Sequence, residues 1–86
     1  METYKIEIYV NDYVISALQE YAEDPDCEEE DRKWYNEVIH QYKEWNKHPI
    51  TVHTLKEYFD LLEKVHDYSD GQYSVYNEGT FIRVGD

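Results

Sequence analysis

The segment at residues 26–47 constrains this chain more than any other part of it. It opens on a run of acids and carries the two tryptophans of the sequence, Trp34 and Trp45. Its apolar residues recur near helical spacing; they are Trp34, Tyr35, Val38, Ile39, Tyr42 and Trp45. This spacing predicts the longest helix of the protein, with an apolar face in the core and an N-terminus surrounded by negative charge.

The length of 86 residues predicts a single domain at residues 1–86. A chain this short has little surface to bury, so its stability depends on large side chains. Ten Tyr, two Trp and two Phe provide them, and each can bury roughly 150–250 Å². The lone cysteine, Cys27, excludes a disulfide within the chain and a cysteine-based zinc site.

The net charge is −12, from twenty Asp and Glu against eight Lys and Arg. Phosphate groups repel such a surface, so binding to nucleic acid or to an anionic membrane is not expected. Basic proteins are the partners that this field attracts, although a need for solubility would also explain it. Because the chain has no long apolar run and no leader-like start, we expect a cytoplasmic protein.

The first part of the chain predicts a strand and a helix. Apolar and polar residues alternate over Tyr4–Val10, as is typical of a half-buried strand. Asn11-Asp12 offers an N-cap for a helix at residues 13–23, which Pro25 ends. The side chains expected to be buried on this helix are Val14, Leu18, Tyr21 and Ala22.

The ends of the long helix are also predicted. Asp26 is the expected N-cap, and Glu29 stands in the capping-box position three residues later. The helix continues to Lys47, because His48-Pro49 disfavours helical backbone. Residues 50–53 form either an extended linker or a short edge strand.

A third helix follows, because Thr54 and Glu57 have capping-box spacing. Its expected buried stripe is Leu55, Phe59, Leu62 and Val65, with Tyr58 and Leu61 beside it. The tail at residues 72–84 predicts a hairpin with a two-residue turn at Glu78-Gly79. This register pairs Val75 with Ile82 and Tyr73 with Val84, and it places these four side chains on one face that packs on helices.

An isolated hairpin is marginally stable in water, so we expect it to pair with the N-terminal strand. The predicted fold is therefore α+β, with a three-stranded antiparallel sheet, three helices on one face and the order β-α-α-α-β-β. Tyr9, Tyr76 and Phe81 would share the opposite face with Lys5, Glu7, Ser74 and Arg83. Exposed aromatic clusters mark partner surfaces, although cross-strand aromatic pairs also stabilise sheets by themselves.

No catalytic motif is present. The two His-Glu pairs with helical spacing, His40–Glu44 and Glu63–His66, give only two ligands each, so no metal site is expected. Acids surround Cys27 and disfavour its thiolate. The serines lie in no nucleophile elbow, and the three glycines form no phosphate-binding loop. We therefore expect a protein that is not an enzyme and has no cofactor.

The remaining signal is the acidic segment, in which seven of the nine residues at positions 23–31 are acidic. The acids are Glu23, Asp24, Asp26, Glu28, Glu29, Glu30 and Asp31, and Glu37 and Glu44 continue them along the long helix. Carboxylates at helical spacing can imitate phosphates and engage Lys and Arg of a partner, with Tyr9, Tyr76 and Phe81 as aromatic anchors. The alternative is a solvated helix start.

In small size and strong acidity the chain is similar to phage-encoded inhibitors of defence nucleases, including anti-CRISPR and anti-restriction proteins, and to acidic nuclease-immunity proteins. This resemblance covers size and charge and assigns no functional residue. It implies a non-enzymatic inhibitor or regulatory protein that occupies a basic nucleic-acid-binding surface of a partner such as a nuclease. The alternative hypothesis is a small assembly protein that oligomerises through the aromatic sheet face, and the sequence leaves the oligomeric state open.

Overall fold

A computed structural model describes residues 3–85 and shows an α+β fold of order β-α-α-β-α-β-β. The elements are β1 Tyr4–Val10, α1 Asp12–Glu23, α2 Glu29–Lys47, β2 Ile50–Val52, α3 Leu55–Ser69, β3 Tyr73–Tyr76 and β4 Phe81–Val84. A 3-10 turn at Asn77–Gly79 connects β3 to β4. The three predicted helices and the terminal hairpin are present, and residues 50–52 form a strand.

The sheet differs from the prediction of three antiparallel strands. It has four strands in the order β2-β1-β4-β3, and it is mixed, because β1 pairs antiparallel with β2 but parallel with β4. Alternation along a strand fixes which face is buried and is the same for either chain direction. The sequence pattern therefore identified the inward face of β1 but carried no information on its direction.

The hairpin register is confirmed, since Val75 pairs with Ile82 and Tyr73 with Val84. The predicted two-residue turn is wrong, because residues 77–80 lie between the last paired residues, Tyr76 and Phe81. The packing of Val75 on helices is also wrong. Its side chain is 42% exposed, whereas that of Ile82 is 0% exposed. The reason is position, since β3 is an edge strand and β4 is interior.

One core cluster joins the three helices to the inward sheet face. Its sheet residues are Ile6, Ile8, Val10, Val52, Ile82 and Val84; its helix residues are Ile15, Val38, Ile39, Tyr42, Trp45, Leu61 and Val65. Several predicted core residues remain outside: Trp34, Leu55, Phe59 and Tyr21 are all exposed. The apolar stripes of the helices are wider than the surface that this small sheet can cover.

Two of the three predicted helix caps are confirmed. Asn11 accepts a hydrogen bond from the Tyr13 N–H, and Thr54 accepts one from the Glu57 N–H. The predicted cap of α2 is wrong, because its N-cap is Glu28, which makes no side-chain cap hydrogen bond. None of the helices between residues 3 and 85 has the length and apolar character needed to cross a membrane.

Candidate functional site: the acidic tip of the helical hairpin

Seven of the nine predicted acidic residues lie where α1 and α2 join to form a helical hairpin. Residues 23–31, here called the acidic tip, comprise the last residue of α1, the connecting loop and the first turn of α2. All seven of its carboxylate side chains are exposed; they are Glu23, Asp24, Asp26, Glu28, Glu29, Glu30 and Asp31. The structure therefore gathers these sequence neighbours at the end of a helical hairpin.

Arg32 holds the acidic tip together. Its Nε donates a hydrogen bond to the Ala22 carbonyl oxygen at 2.9 Å, and its Nη2 approaches the carbonyl oxygens of Asp24 at 3.2 Å and Cys27 at 3.3 Å. One guanidinium on α2 thus binds carbonyls at the C-terminal end of α1, where helix carbonyls lack intrahelical partners. The loop gains a second constraint, since Asp24 Oδ1 accepts from the Asp26 N–H at 2.9 Å.

This use of Arg32 leaves the carboxylates of the tip without a cation. Among residues 3–85, the ion pairs are Lys47–Glu44 at 4.0 Å and Lys56–Asp60 at 3.1 Å, and neither involves the tip. The guanidinium binds main-chain oxygens instead of neutralising its acidic neighbours. The tip therefore presents its negative charge to solvent on a backbone that is held in place.

The start of α2 accounts for part of this charge. Glu29, Glu30 and Asp31 occupy its first turn, where the helix dipole favours each exposed carboxylate by about 0.3–1 kcal/mol. Because Glu28 makes no side-chain cap, solvent remains available as the partner of the first free N–H groups. The predicted role of Asp26 and Glu29 as a capping box is absent, so these two carboxylates have no fold-stabilising hydrogen bond of that kind.

Glu37 and Glu44, predicted to continue the acidic surface along α2, are in a different situation. Glu37 Oε1 accepts a hydrogen bond from the Tyr68 hydroxyl at 3.2 Å, and Glu44 faces Lys47. Both carboxylates therefore have partners within the fold. The structure separates them from the acidic tip, whose carboxylates have none among the ion pairs described.

The base of the helical hairpin is fixed by two tyrosines. The Tyr42 hydroxyl donates to the Tyr68 carbonyl oxygen at 2.6 Å, and Trp34 packs edge-on against the Tyr68 ring at 5.2 Å. Burial raises the pKa of Tyr42 to about 12. Burial and the neighbouring Glu37 also raise the pKa of Tyr68. Both hydroxyls are thus neutral near pH 7 and act as hydrogen-bond donors that join α2 to α3.

The predicted aromatic face is the side of the sheet that faces away from the helices. Tyr76 and Phe81 lie together there, with ring centres 6.2 Å apart. Tyr9 is instead paired with Arg83, whose guanidinium carbon lies 5.9 Å from the ring centre. Tyr9 and Tyr76 are 45% and 48% exposed. This open sheet face therefore combines an aromatic pair with a cation–π pair, rather than one three-ring cluster.

Neither surface resembles a metal centre. No group of three or more His, Cys, Asp and Glu side chains in residues 3–85 is arranged to hold a metal ion. The acidic tip therefore does not bring three of its carboxylates together in the way that a metal ion would need.

The residue of the candidate site that no sequence pattern indicates is Arg32. It is one of two arginines in the chain and stands next to the acidic run, but its partners are backbone carbonyls up to ten residues away. Nothing in the spacing of side chains indicates such a contact. No family model matches this chain, and neither do the curated proteins or the solved structures, so the candidate site is defined by its geometry alone.

Proposed function

We propose that this protein is a non-enzymatic binding protein whose acidic tip occupies a basic, nucleic-acid-binding surface of a partner protein. A nuclease is the kind of partner that this chemistry fits, and binding would inhibit or regulate it by excluding nucleic acid. The observation that carries the proposal is the placement of Arg32. Its guanidinium stabilises the loop through carbonyl oxygens, and the seven carboxylates take part in no ion pair among residues 3–85.

The linear density of charge supports mimicry of nucleic acid. Consecutive helical residues rise by about 1.5 Å, while duplex DNA presents about one charge per 1.7 Å of its axis. The three acids of the first turn of α2, Glu29, Glu30 and Asp31, with Glu28 at the N-cap, therefore place charge along the helix axis at a density close to that of a duplex. A groove lined with Lys and Arg for phosphates can accept such a series.

The rigidity of the acidic tip supports the proposal as well. A flexible acidic tail loses conformational entropy when it binds, whereas a preorganised surface loses less. The acidic tip is bounded by two helices and held by Arg32 and the turn at Asp24. The backbone that carries its charges is therefore close to one arrangement before any partner arrives.

The test is a comparison of two charge-matched variants. The protein is used to capture its partner from a lysate of its own host, and the affinity is measured at low and high salt. The tip variant is Glu28→Gln, Glu30→Gln and Asp31→Asn combined; the control combines Glu20→Gln, Glu63→Gln and Asp67→Asn, three exposed acids elsewhere. We expect the tip variant to lose at least about tenfold in affinity at low salt, and the control to change little.

Competition with nucleic acid then identifies which surface of the partner the protein binds. A short DNA duplex added to the complex should displace the wild-type protein, because both ligands would use the same cations. Equal affinity of the tip and control variants would show that the tip is only a solvated helix start. Tip-dependent binding without displacement by nucleic acid would contradict the mimicry while leaving the acidic tip as the binding surface.

A second candidate function is self-assembly through the open sheet face. The observation that favours it is the exposure of Tyr9 and Tyr76, which are 45% and 48% accessible beside Phe81 and Arg83. An aromatic interface of this kind would be insensitive to salt, unlike an electrostatic one. Sedimentation of the wild type and of Tyr76→Ser across a concentration series tests it, and a salt-independent dimer lost in the variant is the supporting result.

A further inference from the structure

A small apolar pocket opens at the Tyr4 end of β1, opposite the Val10 end from which α1 departs. Its volume is about 140 Å³. Buried Ile6 and Val52 form its floor, and the exposed Leu55 and Glu78 stand at its mouth. An apolar cavity of about 150 Å³ can hold a benzene-sized group, so this pocket has room for the stem of one side chain.

One wall of the pocket is fixed by Tyr58. Its hydroxyl donates to the Gly79 carbonyl oxygen at 3.1 Å, and a Cβ added to Gly79 would lie 2.6 Å from that hydroxyl oxygen. Gly79 also has φ +94°, which side chains disfavour. The close approach therefore requires glycine, and it holds the hairpin loop against the start of α3.

The loop places Glu78 in an unusual backbone conformation. Its φ is 56° and its ψ is 33°, in the left-handed region that non-glycine residues other than Asn and Asp seldom adopt. Within residues 3–85 the Glu78 carboxylate takes part in no ion pair. A charged residue thus occupies a strained position at the mouth of an apolar pocket, and strain of this kind clusters at functional sites.

We propose that this pocket binds one arginine side chain of a basic protein partner. The aliphatic stem would lie along Leu55 and the floor, as long basic side chains do on apolar surfaces. The guanidinium would meet the Glu78 carboxylate in a charge-assisted hydrogen bond and face the aromatic ring of Tyr58. None of the residues that line this pocket belongs to α1, α2 or the acidic tip, so the site does not depend on the function proposed for the tip.

The proposal can be tested without any partner. N-acetyl-arginine amide is titrated into the protein while its backbone amide resonances are followed by NMR. Neutral N-acetyl-citrulline amide, which has nearly the same shape, is the control ligand. We expect saturable shifts at Leu55, Gly79 and Thr80 with the arginine compound, and weaker binding by at least about tenfold with citrulline, since the charged bond is the stronger one.

Variants separate a specific site from general attraction to a chain of charge −12. Glu78→Gln should weaken binding of the arginine compound by about tenfold, because it removes the charged acceptor. Glu63→Gln, an exposed change on α3 with the same effect on net charge, should change it less than about twofold. Equal binding of citrulline, equal effects of the two variants, or shifts confined to the acidic tip would each overturn the proposal.

Discussion

The two halves of α2 differ in what they contribute to the core and to the surface charge. Its C-terminal half buries Val38, Ile39, Tyr42 and Trp45 in the core, whereas the first nine residues, 29–37, bury none. The first half instead carries three carboxylates in its opening turn and is held by Arg32. One continuous helix therefore joins a segment that is buried in the core to a segment whose first-turn carboxylates lie in solvent.

A small domain can support a dense surface charge when that charge lies away from its core. Burial of apolar area stabilises the fold at about 25 cal/mol per Å², and the buried residues lie in the sheet, in the C-terminal half of α2, in α3 and at Ile15 of α1. The like charges of the acidic tip lie away from that core in solvent, where salt screens them. Repulsion within the tip therefore has little effect on folding.

The largest expected loss of stability comes from a charge placed in the core. Ile82→Asp should lower the free energy of unfolding by several kcal/mol, which is most of a small domain's stability, because the carboxylate would be buried without a partner. The matched control is Val75→Asp, its 42% exposed pairing neighbour, which should cost under about 1 kcal/mol. Urea denaturation measures both, and similar losses would contradict the edge position of β3.

The next largest effect is a pH dependence of stability that comes from the Tyr42 hydroxyl. Its pKa is about 12 in the folded state against an ordinary value of 10.0. Below pH 10 both states are protonated, and the stabilisation is fully present. As pH rises through the folded pKa the unfolded state loses its proton first, so stability falls by roughly 2–3 kcal/mol.

The measurement is the free energy of unfolding between pH 8 and pH 12 for wild type, Tyr42→Phe and Tyr13→Phe. Tyr42→Phe should be less stable at neutral pH by about 1–3 kcal/mol, because the Tyr68 carbonyl loses its buried donor. It should also show a shallower fall at alkaline pH. Tyr13→Phe, at a residue 78% exposed, should follow the wild type, and a parallel fall in all three proteins would contradict the assignment.

A smaller effect separates the acidic tip from the core. Arg32→Gln removes a guanidinium that contacts three carbonyl oxygens, and it should lower stability by about 1–2 kcal/mol. Amide hydrogen exchange should accelerate within residues 22–28 and stay unchanged in the sheet. Lys33→Gln, an exposed change of equal charge, is the control; uniform acceleration throughout the chain would show that the tip is not a separate unit.

The smallest effect concerns the two aspartates of the loop. Asp24→Ala should cost about 0.5–1.5 kcal/mol, because it removes the acceptor of the Asp26 N–H. Asp26→Ala should stay within about 0.5 kcal/mol, because Asp26 is not the cap of α2. Thermal melts of the two single variants measure these losses of stability. A larger loss in Asp26→Ala than in Asp24→Ala would identify Asp26 as the capping residue of α2.

Features that depend on neighbouring residues were predictable. The caps at Asn11 and Thr54 follow from short polar side chains just before apolar helical patterns. The pairing of Val75 with Ile82 follows from matching apolar faces. The exposure of the acidic residues followed from the high cost of burying charge.

Features set by distant parts of the chain could not be predicted from the sequence. The stripe on α3 predicted burial of Leu55 and Phe59, yet they are 72% and 60% exposed, because helical spacing does not show how far a neighbouring sheet extends. Asn46 is another case. Its side-chain amide pairs with both the N–H and the carbonyl of Val10, and so satisfies backbone groups on the edge of β1 beyond its pairing with β2.

Local sequence patterns were enough to predict the three helices, the inward faces of β1 and β4, the hairpin register and the negative charge of the chain. These depend on periodicity, on local caps and on composition. Tertiary structure decided that β1 runs parallel to β4, that Arg32 binds the end of α1 and that Glu78 stands at a pocket. The physical reason is that strand direction, backbone contacts and cavities depend on which distant segments meet, and no residue spacing encodes that.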